Sequence, residues 1–213
     1  MLDREETLRF ADGGHAELIG NHPALDLVNT VGWRLDPGRS VDRLSDGDAL
    51  LRWATFAGLL EGGAGPVAPG EPDLAAAAVR GLRDMLHRVL QSLALGAPPD
   101  PAALTALRAR LLEALGREEV EVGRLMPLEW SAPSRTVADL PVRLALAGWE
   151  LLAREDVRRL RQCRDDDCGW LFLDRSRNGS RVWCSSADCG NRARARRHYA
   201  RQAESRQLAG GRQ

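Results

Sequence analysis

Apolar positions along the chain repeat mostly with a helical period. Val79, Leu82, Met85, Leu86, Val89 and Leu93 fall on one face of a helix predicted over about 73–95, and Gly96, Pro98 and Pro99 end it. A second helix is predicted over about 101–115, with Leu104, Leu107, Leu111, Leu112 and Leu115 as its stripe. A third begins near Asp139, carries Leu140, Leu144, Gly148, Leu151 and Leu152, and is extended by the 154–161 segment toward Cys163. Ser45 with Asp48 resembles a capping box and starts a helix running to about Leu60.

Period-two segments are fewer. Phe10 to Ile19 reads as a strand interrupted by Gly13-Gly14, and Glu119–Val122 with 125–130 reads as a hairpin around Gly123. Residues 24–30, ALDLVNT, are too short for periodicity to separate strand from helix. Residues 36–44 and the Gly/Pro-rich 62–72 are loops. The elements before 62–72 are too few to fold separately, so that loop is no domain boundary. The pattern predicts an α-rich domain with small hairpins over 1–153, part of an α+β fold.

Residues 154–213 differ in kind. All four cysteines lie here as two C-x4-C pairs, Cys163 with Cys168 and Cys184 with Cys189. Two close pairs of thiolates suit the tetrahedral shell of one structural zinc ion. Two disulfides or four inert thiols are the competing readings. The first needs an oxidising compartment, the second needs no pairing, and a redox centre would use C-x-x-C. Trp170–Leu173 reads as a strand, 177–180 as an Asn-Gly turn and Arg181–Trp183 as the return strand. With a helix opening after the second pair, this forms a treble-clef-like four-cysteine zinc finger. All four metal positions are then filled by protein, which leaves none for a reacting water. Arg161, Arg164 and Arg181 lie near the ligands in sequence and are candidates to offset the −2 charge of a zinc tetrathiolate.

Charge sharpens the division. The formal net charge is zero, but residues 1–153 hold 15 Arg against 22 Asp and Glu, and residues 154–213 hold 15 Arg against 8. The body is therefore −7 and the finger +7. At about 100° per residue Arg194, Arg197 and Arg201 form one stripe of the last helix with His198 beside it, while Arg192 and Arg196 share another face with Tyr199. Such a helix suits nucleic-acid phosphates. Asn191 and Arg192 at the helix start either read bases or cap the helix and buttress the zinc ligands. Asp165, Asp166 and Asp167 read as a solvated loop. The charged N-terminus has no apolar signal core behind it and no run reaches the roughly 18 apolar residues of a membrane span, so a cytoplasmic protein is expected.

Cys189-Gly190-Asn191-Arg192, with Trp183-Cys184-Ser185, residues 168–172 (CGWLF) and 174–177 (DRSR), resembles the CGNR zinc finger family. Leu25-Asp26-Leu27-Val28-Asn29-Thr30 is similar to the opening motif of the ABATE domain that commonly precedes this finger. The resemblance implies a stress-induced transcription regulator. On this reading zinc is the cofactor and duplex DNA the partner, while the body senses a small-molecule or protein signal or self-associates, as in a homodimer. Asn29, Trp33 and Arg34 are candidates to line a ligand pocket, against the plainer reading of a core Asn and a buried Trp. The alternatives are a zinc-stabilised RNA-binding or protein-adaptor module, and an enzyme with its site in the body. The body carries no phosphate loop, nucleophile elbow or HExxH, so no catalytic activity is expected.

Overall fold

The computed structural model describes residues 18–60, 67–116, 119–122, 128–131, 136–154 and 157–210, with side chains placed outside 117–135 and as far as 203. The expected strand over 10–19 lies almost wholly outside these residues. The ambiguous 24–30 segment forms a helix, α1 (Pro23–Val28). Pro23 fits the first turn because that turn's N–H groups have no intrahelical partner, and His22 Nδ1 accepts from the Ala24 N–H. Ala24 to Val28 are all buried, so burial on every side removed the periodicity that would have identified a helix. A two-residue ladder follows, β1 (Val31–Gly32) antiparallel to β2 (Val41–Asp42).

α2 (Gly47–Phe56) is capped by Asp46, whose carboxylate accepts from the Ala49 N–H at 2.8 Å. The cap is therefore one residue beyond Ser45, whose hydroxyl donates to Asp46. α3 (Glu71–Ala94) and α4 (Pro101–Leu115) match their predicted spans closely. β3 (Glu119–Val122) pairs antiparallel with β4 (Leu128–Ser131), as the alternation predicts. A single 3-10 turn (Val137–Asp139), closed by a Thr136–Asp139 capping box, leads into α5 (Leu140–Arg154).

α3 is the axis of the core, packing against α1, α2, α4 and α5. Its predicted stripe is the buried one, with Val79, Leu82, Leu86 and Val89 inside and Met85 and Leu93 partly covered. α5 lies close enough that a Cβ on Gly148 would stand 2.8 Å from Leu86. On α4 the expected stripe holds only in part, with Leu107 buried and Leu111 packed against the core. Ala103, Leu107 and Ala114 face inward, while Leu104 and Leu112 are exposed. Apolar residues occur on all sides of that helix, so the pattern could not choose a face.

The chain does not continue α5 to Arg161. After a second 3-10 turn (Val157–Arg159) it becomes β5 (Leu160–Gln162), antiparallel to β6 (Leu171–Leu173). Leu160, Leu171 and Leu173 belong to the same buried cluster as α1, α3 and α5. The finger is thus rooted in the body's core. α6 (Cys189–Gly210) ends the described chain.

Two buried groups give the body an expected pH response. Burial pushes the Asp26 carboxyl up to about 7, although it accepts the Gly20 N–H at 2.8 Å. Burial, assisted by Arg34, lowers the His87 imidazole to about 4, and His87 Nε2 has no hydrogen-bond partner. Asp26 has a folded pKa above its unfolded one, so its contribution is full below about pH 4 and lost as pH rises through about 7. His87 has the opposite sign, contributing fully above about 6.5 and losing it toward about 4. Between about pH 4 and 6.5 the two oppose each other. Asp26→Asn is expected to leave a stability that climbs with pH across that window. Equal pH slopes for parent and variant in urea unfolding would refute this.

Candidate metal centre and basic helix

The first cysteine pair sits in the bend between β5 and β6. The Cys163 N–H donates to the Trp170 carbonyl at 2.8 Å and the Cys168 N–H to the Asp165 carbonyl at 3.1 Å, closing a knuckle. Gly169 permits the exit, with φ +72° and Leu35 and Arg34 packed where a side chain would stand. The hairpin therefore runs around the knuckle, 160–162 with 171–173, and not around the Asn-Gly turn. Arg181–Trp183 forms no strand. Asp174, wholly buried, organises the 174–181 loop in its place. Its carboxylate accepts from the Ser176 N–H and hydroxyl at 2.9 and 2.5 Å and from the Arg181 N–H at 3.0 Å. These bonds, the Ser176 hydroxyl foremost, hold its carboxyl below the usual range.

The loop returns the second pair to the first. Cys184 lies at its end and Cys189 is the first residue of α6. All four thiols are free and buried, and their sulfurs lie within 4.8 Å of one another. Cys168 to Cys184 is 3.7 Å and Cys184 to Cys189 is 3.3 Å. Four sulfurs about 2.3 Å from one zinc ion would stand roughly 3.8 Å apart, whereas a disulfide needs about 2.05 Å. The donor set itself calls for a cation. Hydrogen bonds from Cys168, Cys184 and Cys189 favour a thiolate at Cys163, while Cys163 and Cys168 push the Cys184 and Cys189 thiols up. Four thiolates can coexist here only around a positive ion, and the set fits one structural zinc.

The arginine that answers the cluster's charge comes from α6. Arg192 Nη2 donates to Cys189 Sγ at 2.9 Å, and its Nε and Nη2 both donate to Asp165 Oδ2, at 2.9 and 2.5 Å. Arg196 pairs with the other Asp165 oxygen and reaches Asp167 at 3.4 Å. The Asp165 side chain is 0 % exposed. The expectation of a solvated aspartate loop therefore fails at Asp165. A buried carboxylate beside a tetrathiolate needs two guanidinium partners, and α6 supplies them one turn apart. Among the described residues Arg161, Arg164 and Arg181 make no bond to a cysteine sulfur. Arg161 bonds the Arg158 and Leu160 carbonyls, Arg164 is exposed, and Arg181 bonds the Trp183 and Cys184 carbonyls while lying 4.2 Å over the Phe172 ring.

The other basic-helix candidates face outward. Arg194 is held by the Ser186 carbonyl at 3.0 Å and by Asn191 Oδ1, and Arg197 Nε bonds the Ala193 carbonyl at 3.3 Å. Among the described residues neither guanidinium meets a carboxylate. Asn191 is not a helix cap; its amide reaches back to the Ala187 carbonyl. His198 bonds Gln202, and His198 and Arg201 are exposed.

Asn29, Trp33 and Arg34 do not converge on one pocket. Asn29 is 3 % exposed and bonds both backbone groups of Leu171, donating to the carbonyl at 2.8 Å and accepting the N–H at 2.9 Å. Its amide acts as a short strand that joins the body to β6. Arg34 donates from its side chain to the Val28 carbonyl and from its backbone to the Cys168 carbonyl. Trp33, at φ +51°, has the guanidinium groups of Arg39 and Arg192 over its ring, at 3.6 and 4.5 Å from the centroid. These three residues bind the finger to the body. Asp165 and Arg39 were invisible as partners in the sequence, because they act across 27 and 128 positions, whereas Asp174 bonds Ser176 only two residues on, and the Asp-x-Ser spacing of an Asx turn is the signal that could have found it.

Residues 21–160 match the ABATE family, described as "Putative stress-induced transcription regulator", and residues 159–202 match the CGNR zinc finger. No curated protein matches the chain. The first match covers more than half of the chain, and the second spans the four-sulfur cluster and most of α6. This protein belongs to the ABATE family and carries a CGNR zinc finger whose four cysteines form its metal centre.

Proposed function

We propose that this protein is a zinc-dependent, DNA-binding transcription regulator. Its outer α6 face, Arg194, Arg197, His198 and Arg201, would lie on duplex phosphates. The sorting of the arginines carries the reading. Arg192 and Arg196 turn inward to Asp165 and lock the helix, whereas Arg194 and Arg197 keep exposed charge that, among the described residues, is held by neutral groups. Exposed guanidinium groups on a rigid helix are what counterion-releasing contact with a polyanion uses. The +7 balance of residues 154–213 supports the same reading. In this picture zinc shapes the helix mount and performs no chemistry. The body receives a signal or pairs with a second copy, and the protein works in the cytoplasm. Among the described residues no helix is long and apolar enough to cross a membrane.

Affinity for duplex DNA is expected to fall steeply with salt, with a log–log slope of about −4 if about four phosphates are contacted. The triple change of Arg194, Arg197 and Arg201 to Ala should flatten the slope by roughly 3 with zinc content unchanged. An unchanged slope would reject this face, and tighter binding of structured RNA than of duplex DNA would favour the RNA-module reading.

A further inference from the structure

A cleft of about 210 Å³ opens in the seam between body and finger. Cys168, Cys184 and Cys189 line it together with Ile19, Trp33 and Trp170, and Ile19 and Trp170 pack against the cysteine cluster. Cys163 does not border the cleft, and its sulfur accepts the Cys184 N–H at 3.4 Å. Three of the four zinc-holding cysteines therefore border one small cleft.

We propose that this cleft admits hydrogen peroxide, and that Cys184 and Cys189 are the pair oxidised there, closing a disulfide and releasing the metal. Cys184 is the attacking sulfur. It lies between Cys189 at 3.3 Å and Cys168 at 3.7 Å, and among the described residues no guanidinium bonds its sulfur. Cys189 accepts from Arg192 at 2.9 Å, which tempers it as a nucleophile, so Cys184 meets the peroxide first. In the first step the Cys184 thiolate attacks one peroxide oxygen, the O–O bond breaks, hydroxide leaves, and Cys184 becomes a sulfenic acid. In the second, the Cys189 thiolate attacks the Cys184 sulfur and expels a second hydroxide as the S–S bond forms. Two electrons pass from two thiolates to one peroxide. The sulfurs must close from 3.3 Å to about 2.05 Å. Cys163 and Cys168 alone cannot complete a four-coordinate shell, so zinc leaves. α6, which begins at Cys189, then loses its metal tie to the β5–β6 hairpin.

The test uses the full-length, zinc-loaded chain exposed to hydrogen peroxide. Zinc release is followed with a chromogenic chelator, and thiols are alkylated and mapped by mass spectrometry. One zinc per chain should be released as a Cys184–Cys189 disulfide forms, with Cys163 still alkylatable, and reductant plus zinc should restore the starting state. Ile19→Ala, which widens the cleft, should speed peroxide-driven release several-fold after subtraction of release without peroxide, and Ile19→Trp should slow it. Zinc retained while free cysteine is consumed, a first disulfide that includes Cys163, or equal rates across the Ile19 variants would overturn the proposal. None of these readouts involves nucleic acid, so the outcome is independent of the DNA-binding reading.

Discussion

Chelating the zinc, or replacing Cys184 with Ser, is expected to destabilise the whole protein and not the finger alone. Structural zinc in finger peptides contributes an apparent binding free energy of about 10–16 kcal/mol at neutral pH, comparable to the entire stability of an ordinary domain, about 5–15 kcal/mol. A finger tethered by a linker would unfold without disturbing its neighbour. This one shares residues with its neighbour. The knuckle lies between β5 and β6, and Leu160, Leu171 and Leu173 of those strands are buried with the body's helices. Each such leucine is worth about 1.5–3 kcal/mol of burial. Asn29 adds two hydrogen bonds to Leu171, and the Trp170 indole donates to the Val31 carbonyl at 2.9 Å.

Metal loss should therefore lower the body's thermal midpoint by well over ten degrees and speed hydrogen exchange around Trp53, which is deep in the body at 2 % exposure. Calorimetry with and without chelator, beside hydrogen exchange of the backbone around Trp53, would measure this on the unaltered chain. A body transition that stays in place while the finger melts separately would show two independent units and refute the prediction.

The sequence made some of this legible and hid the rest for identifiable reasons. The ligand set was readable because cysteine is rare in the chain and its pairing is local. The span of α3 was readable because one of its faces is wet. α1 is dry throughout, so its period vanishes, and α4 is apolar on both sides, so its expected stripe mixes Leu107 and Leu111, which face the core, with Leu104 and Leu112, which do not. The hairpin was placed around Asn178-Gly179 because that dipeptide is a strong turn signal. Yet β6 found its partner on the other side of the knuckle, where Leu160 could be buried with Leu171 and Leu173. Among the site residues, Arg192 was seen and its role left open between base reading and buttressing. Its partner Asp165 is 27 positions away, and only the folded knuckle brings the two together.

That pairing divides the arginines of α6 into two kinds with opposite expected behaviour. Replacing Arg192 and Arg196 together with Ala should cost about 3–5 kcal/mol, the penalty for stranding a buried charge, because Asp165 has no exposure of its own and stands beside four thiolates. Asp165→Ala alone should cost less. The two guanidinium groups it frees are 36 % and 41 % exposed and can turn to water. The triple variant, lacking all three charges, should recover part of what the double variant loses. Metal affinity should follow the same order, because Arg192 also bonds Cys189, and loss of such an outer partner weakens binding by about 10–100-fold. Arg194→Ala with Arg197→Ala, on the outer face, should alter stability by no more than about 0.5 kcal/mol. Urea unfolding and zinc competition across these variants would test the division. A double inner variant as stable as the parent, or a triple variant no better than the double, would mean that Asp165 does not hold α6 in place.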